Sequence, residues 1–155
     1  MPQIALIEPE IPPNTGNIGR FCAAMRCPLH LIGPLGFSLD EKHLRRAGMD
    51  YWDQVDFTLW PSSELFFKHL SETGCRFYLF TTKVKRAYTQ VVYEEGDMLV
   101  FGRESKGLPE SLLASHPEHC LTIPMVNPLA RSLNLSTAAT IVASEALRQI
   151  RSRSK

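Results

Sequence analysis

Two kinds of stretch alternate along the chain. Short, nearly continuous apolar runs at Gln3–Ile7, Leu29–Ile32, Val55–Trp60, Arg76–Thr81, Met98–Gly102 and Cys120–Ile123 predict strands, several of them buried on both faces. Between them, Gly16–Arg26, Asp40–Ala47, Ser62–Glu72 and Pro109–Ser115 read as helices. Ser62 has the side chain of an N-cap, and Leu65, Phe66 and Leu70 supply the apolar face of its helix. A final helix is predicted from about Asn134 to Ile150, with Leu135, Ala138, Val142 and Leu147 among its apolar positions. Its small residues Ser136, Ala138, Ala139, Ala143 and Ser144 permit close approach of another helix. Strand–helix alternation of this density predicts an α/β fold, a mostly parallel sheet with helices on both faces. No internal repeat or low-complexity linker interrupts it, so one domain over residues 1–155 is expected.

Composition narrows the class. A chain of 155 residues with 44% hydrophobic and 21% charged residues can bury a core without disulfides or metals, which excludes a disordered or fibrous protein. No apolar run reaches membrane length, and Glu8 and Glu10 interrupt the start where a signal peptide would be apolar. A cytoplasmic protein with no membrane partner is expected. Cys22, Cys27, Cys75 and Cys120 form no CxxC pair and are expected to be reduced and mostly buried. His116 and His119 stand beside Cys120, but there is no second ligand pair at zinc spacing, so no metal is expected. Seventeen basic and 16 acidic residues leave a net charge of only +1, which does not by itself announce a nucleic-acid binder. The cations are clustered, however: Lys42, Arg45 and Arg46; Lys83, Lys85 and Arg86; Arg148, Arg151, Arg153 and Lys155. Each cluster alone reads as a solvated face, and they make one phosphate-binding surface only if the fold or a dimer gathers them.

Parallel sheets bind ligands beyond the carboxyl ends of their strands, so the loops there carry most weight. The first loop, Glu8 to Arg20, runs from strand to helix through GNIG, matching neither GxGxxG nor the P-loop pattern. Asn14 and Arg20 can bracket the start of the helix, or Asn14 caps the turn and Arg20 is a surface residue. The second, Leu99 to Pro109, ends an apolar strand at Gly102, where a ligand could approach the backbone, and passes Glu104 before Pro109 at a helix N1 position. An ordinary strand-to-helix turn with a solvated Glu104 fits the same pattern. In the third, Ile123 to Ser136, Pro124 and Pro128 hold the chain extended before Ser132 and Asn134, with Asn134 or Ser136 as N-cap.

Taken together, EPEIPPNTGNIGR, HLRRAGMDYW, FGRESKGLP and IPM…RSLNLS resemble the motifs of SPOUT-class RNA methyltransferases, specifically the small TrmL (YibK-like) family. The likeness covers nearly the whole chain, in order. It implies methyl transfer from S-adenosylmethionine, which leaves as S-adenosylhomocysteine, to the ribose 2′-hydroxyl of the wobble nucleotide of tRNA. That nucleotide is a cytidine or 5-modified uridine at position 34, with leucine isoacceptors the expected substrates and the anticodon stem-loop the part bound. It also implies a deep C-terminal trefoil knot formed by the loops after Phe80, Phe101 and Ile123, and a homodimer packed through the first and last helices with a shared active site. By motif position, cofactor contacts fall on Phe80, Thr81, Gly102, Ile123, Met125, Ser132 and Leu133. The catalytic or positioning set falls on Asn14, Arg20, Glu104, Ser132 and Asn134.

The first motif lies so near residue 1 that no additional RNA-binding domain is expected. A guanidinium stays protonated in proteins, so Arg20 is expected to orient a phosphate and stabilise alkoxide charge rather than act as a base. Gly19 is expected to loosen its helical turn, and Tyr51, Trp52 and Tyr88 are either base-stacking side chains or core. Three other readings remain open. The chain could be a SPOUT-type enzyme for another RNA or a non-catalytic RNA-binding dimer. It could also be a nucleotide-binding module of NAD type, against which the missing GxGxxG weighs.

Overall fold

The computed structural model describes residues 1–46 and 49–154, so the expected helix end at Ala47 and the cationic tail residue Lys155 lie outside the described residues. Six parallel strands form one sheet: β1 (Gln3–Ile7), β2 (Leu29–Ile32), β3 (Phe57–Trp60), β4 (Phe77–Phe80), β5 (Met98–Phe101) and β6 (Cys120–Leu121), in spatial order β3-β2-β1-β5-β4-β6. All five pairings are parallel, as continuous apolar runs dictate when both faces are covered. The strands are shorter than predicted at β3, β4, β5 and β6, and every predicted run contains one. Helices α1 (Pro12–Met25), α2 (Glu41–Arg46), α3 (Ser63–Thr73), α4 (Glu110–Ser115) and α5 (Leu135–Arg153) complete the alternation.

Side-chain alternation along the strands sorts the interior into two layers. Ile4, Leu6, Leu29, Leu31, Tyr78, Phe80, Leu99 and Phe101 face α1 and α5, where Ile18, Cys22, Ala139, Val142 and Ala143 meet them. Ala5, Ile7, Ile32, Leu79, Met98 and Val100 face the other way onto Phe66 and Leu70 of α3 and Leu108 before α4. Ser62 caps α3 as expected, its hydroxyl accepting the Leu65 N–H at 3.3 Å. Gly19 is not a loosening defect. A Cβ there would stand 2.6 Å from the Trp52 ring, so glycine lets a buried indole lie against α1. Trp52 is therefore core and not a base-stacking side chain, while Tyr51 and Tyr88 pack at the core's edge.

The four cysteines are free, and burial pushes the Cys22 thiol up and that of Cys27 to about 11. His119 stacks on Phe77 with ring centroids 4.2 Å apart, and His116 meets the same ring edge-on. Among the described residues, no helix is long and apolar enough to cross a membrane, and no group of three or more His, Cys, Asp or Glu is gathered as for a metal.

The C-terminal half carries an unusual passage. β6 pairs with β4 on one side, and its continuation, Thr122, bridges Ala87 on the other. The Thr122 N–H donates to Arg86 O at 2.9 Å, and its carbonyl accepts the Tyr88 N–H at 2.8 Å. Arg86–Tyr88 belong to the long excursion that follows β4 and leads to β5, so the chain at 121–122 lies between β4 and its own following loop. Gln149 of α5 fastens that excursion further, accepting the Tyr93 N–H at 3.0 Å and donating to Val91 O at 3.2 Å.

Candidate active site

The strand order reverses between β1 and β5, and the loops that follow β1, β4, β5 and β6 meet at the carboxyl ends of the strands, where ligands of such sheets bind. A cleft of about 440 Å³ lies there, within the range of small-molecule sites. Phe80 and Thr81, Gly102 and Glu104, Ile123 and Met125, and Ser132, Leu133 and Asn134 line it, together with Asn14 from the start of α1. All the expected site residues except Arg20 are thus brought to one place. Its walls are apolar in part (Phe101, Leu108, Leu135, Ala138) and polar in part (Thr81, Thr122, Ser132). Phe80 and Phe101 stack beneath it with centroids 4.8 Å apart.

One hydrogen-bonded chain ties the three loops together. The Asn134 side chain caps α5, its Oδ1 accepting the N–H groups of Ser136 at 2.9 Å and Thr137 at 3.4 Å. That fixes the amide so that Nδ2 donates to Asn14 Oδ1 at 2.9 Å. Asn14 Nδ2 in turn points at Glu104 Oε1, 3.4 Å away. The Glu104 carboxylate accepts the backbone N–H of Glu10 at 2.8 Å and of Ile11 at 3.0 Å. A reciprocal contact closes the clasp: the Ser105 hydroxyl donates to Glu10 Oε1 at 2.7 Å.

This clasp accounts for the start of α1. The helix begins at Pro12, four residues before the predicted start, with Ile11 as an N-cap that has no side-chain acceptor of its own. Pro12 and Pro13 need no N–H partners at the first positions, and the Glu104 carboxylate brings negative charge to the helix N-terminus. Asn14 is consequently buried inside the first turn and is not the cap. Pro109 likewise sits at the N-cap of α4 rather than at its first helical position.

Gly102 lines the cleft and is also required by the turn itself. A Cβ there would lie 2.1 Å from the Gly107 carbonyl carbon and 2.2 Å from the Leu108 nitrogen. The close approach at Gly102 is made by the chain's own backbone, as Arg103 and Gly107 bond across the turn at 2.9 and 3.2 Å. Arg20 stands apart. It lies nearly two helical turns beyond Asn14 on a different face of α1, exposed, with its guanidinium 4.8 Å over the Tyr51 ring. The sequence reasoning missed Glu10 and Ser105, whose side chains complete the clasp. Their only signal was their place in the same two loops.

A doubly covered parallel sheet with a small-molecule cleft built by loops at its carboxyl edge is the architecture of a ligand-binding α/β protein. The SpoU rRNA Methylase family matches residues 1–144, and the protein belongs to this family. Among its relatives, the tRNA (cytidine(34)-2'-O)-methyltransferase of Escherichia coli strain K12 is 47% identical over 151 residues, covering 97% of this chain and 94% of the relative. A structure solved in work on the 2-OH methylation of C/U34 on tRNA superposes with a TM-score of 0.88 at 46% identity, covering 96% of this chain and 95% of the other. An rRNA methyltransferase from Sinorhizobium meliloti, 24% identical with a TM-score of 0.80 over 95% of this chain and 56% of its own, shares the fold.

Proposed function

We propose that this protein transfers the methyl group of S-adenosylmethionine to the ribose 2′-hydroxyl of nucleotide 34 in tRNA, a cytidine or modified uridine in leucine isoacceptors. The single observation that carries the reading is the convergence of Asn14, Glu104 and Asn134 at one wall of the cleft. Three motifs distant in sequence meet there through hydrogen-bonded side chains that both hold the loops and face the cleft. The close relation to tRNA nucleotide-34 methyltransferases adds the substrate.

The cleft suits the donor. Apolar side chains on the stacked Phe80–Phe101 floor can take an adenine, and Thr81, Thr122 and Ser132 offer polar contacts to a ribose and amino-acid tail. Phe80, Thr81, Gly102, Ile123, Met125, Ser132 and Leu133 would hold it. When bound, S-adenosylmethionine supplies a methyl already activated on a sulfonium. The protein's part is placement: Asn134 and Asn14, locked by their mutual bond and by Glu104, present fixed dipoles to the entering ribose. Glu104 spends its carboxylate on backbone N–H groups and so positions the loop.

Arg20 is the residue that orients an RNA phosphate and steadies charge on the 2′-oxygen. Its exposed place outside the cleft of its own chain fits a contribution to the cleft of a second copy. The reading is therefore a homodimer packed through α1 and α5, whose exposed positions include Asn17, Arg20, Ala24, Thr137 and Ser144. The same reading includes a C-terminal trefoil knot, supported by the passage of Leu121–Thr122 between β4 and Arg86–Tyr88. One cytoplasmic domain carries both the donor and the RNA site.

The test is transfer of labelled methyl from S-adenosylmethionine to total tRNA, with nucleoside mass spectrometry and fragment mapping. A 2′-O-methylated nucleotide at position 34 is expected. Label at another position or in ribosomal RNA alone would overturn the substrate, and no transfer to any RNA would overturn the activity.

A further inference from the structure

We infer that Lys106 and Arg131 form a phosphate-binding pair on the rim of the cleft, gripping the RNA backbone beside the target ribose. The assignment rests on the RNA-methylating function proposed above and adds the residues that hold the polyanion. Among the described residues, four cations line the cleft: Lys83, Arg103, Lys106 and Arg131. Two are already neutralised, Lys83 by Glu110 at 2.7 Å and Arg103 by Glu8. Lys106 and Arg131 are exposed and have no ion-pair or hydrogen-bond partner for their charged groups among the described residues. The acid nearest in sequence to Lys106, Glu104, spends both oxygens on the Glu10 and Ile11 N–H groups. Two positive charges on the rim are thus left for a ligand.

The backbone under each is fixed. Lys106 sits in the turn whose ends, Arg103 and Gly107, bond to each other, and whose neighbour Ser105 donates to Glu10. Arg131 follows a turn in which the Asn127 side chain accepts the Leu129 N–H at 2.9 Å and its carbonyl accepts the Ala130 N–H at 3.1 Å. Both side chains are therefore presented from anchored turns at the two loops nearest the expected reaction centre.

Charge decides between the two ligands of this cleft. S-Adenosylmethionine carries a sulfonium, an ammonium and one carboxylate, so two further cations gain nothing from it as a whole. RNA carries one negative charge at each phosphate, and phosphates flank every ribose. Phosphate contacts orient a nucleic acid without reading its sequence, which is what an enzyme aimed at one sugar needs at the mouth of its cleft.

The experiment measures affinity of the full-length protein for bulk tRNA across a salt series. The proteins are wild type, Lys106→Ala, Arg131→Ala, the double variant, and the charge-keeping Lys106→Arg and Arg131→Lys. Titration calorimetry with S-adenosylmethionine runs alongside. Each alanine variant is expected to weaken tRNA binding about three- to tenfold and to lower the salt slope by about 1. The charge-keeping variants are expected to restore most of it, with donor affinity unchanged throughout. Wild-type protein that methylates tRNA while the double variant keeps the wild-type salt slope overturns this assignment alone. Loss of donor affinity with tRNA binding intact reassigns the pair to the donor's carboxylate and also overturns it. Wild-type protein that binds no tRNA overturns the assignment together with the function on which it rests.

Discussion

Replacing Glu104 by Gln removes one acceptor from the centre of the clasp while keeping its shape. In the native protein each carboxylate oxygen takes a backbone N–H, from Glu10 at 2.8 Å and Ile11 at 3.0 Å, beside the N-terminus of α1. A glutamine keeps one acceptor and turns an amide N–H₂ against the other donor. Hydrogen bonds to a charged group contribute about 1.5–3 kcal/mol each, and a carboxylate at a helix N-terminus adds about 0.3–1 kcal/mol. The site is only partly buried, so solvent recovers some of this, and a net loss of about 2 kcal/mol is expected. At this chain length that lowers the melting temperature by roughly 4–8 °C. The clasp also holds the turn that carries Gly102 against the cleft. If donor binding requires the docked turn, the same free energy weakens S-adenosylmethionine affinity by up to about 30-fold. Differential scanning fluorimetry and titration calorimetry read the two effects. A variant that melts like wild type, binds the donor normally and loses only turnover would refute a positioning role and make the carboxylate a participant in proton transfer.

Other expectations follow from the same geometry. Gly102→Ala drives a methyl to within 2.1–2.5 Å of the Gly107 and Leu108 backbone, so a loss of about 3 kcal/mol in urea unfolding and of donor binding is expected. Arg20→Lys is expected to retain part of the methyl-transfer rate while Arg20→Ala loses most of it. Equal, complete loss in both with RNA affinity intact would contradict charge stabilisation. Burial lowers His30 from its ordinary 6.5 to about 4 in the native state, where Trp60 donates to its Nδ1 at 3.0 Å. The unfolded chain therefore binds a proton that the native one refuses. Stability is full above pH 6.5 and falls as pH drops toward 4, by roughly 3 kcal/mol in all. Urea midpoints between those pH values should show a steeper decline for wild type than for His30→Gln.

The layered sheet was legible because parallel strands covered on both faces are nearly continuous apolar runs, as Met98–Phe101 is throughout and Leu29–Ile32 is but for His30. Ser62 was legible as a cap, and Asn134 as one of two candidates beside Ser136, because capping acts over two or three residues. Where partners lie far apart in sequence, local reasoning failed. The start of α1 depends on a carboxylate at Glu104, and two successive prolines there look like loop until that charge is in place. Gly19 and Gly102 answer to Trp52 and to the Gly107 backbone, neither of which a helix or strand pattern reveals. The gathering of Asn14, Glu104 and Asn134 came from the family resemblance and from no spacing rule. The separation of Arg20 from Asn14, by contrast, was available from helical periodicity once both were placed on one helix.

The central claim is that loops after β4, β5 and β6 and the start of α1 build one cleft for a methyl donor. A crystal structure of the protein grown with S-adenosylhomocysteine tests it most directly. The product is expected between Phe80, Gly102 and the 123–133 segment, with the Asn14–Asn134 bond intact at its edge. Product seated elsewhere on the molecule, or a cleft closed by Leu133 and Met125 with the product excluded, would contradict the account.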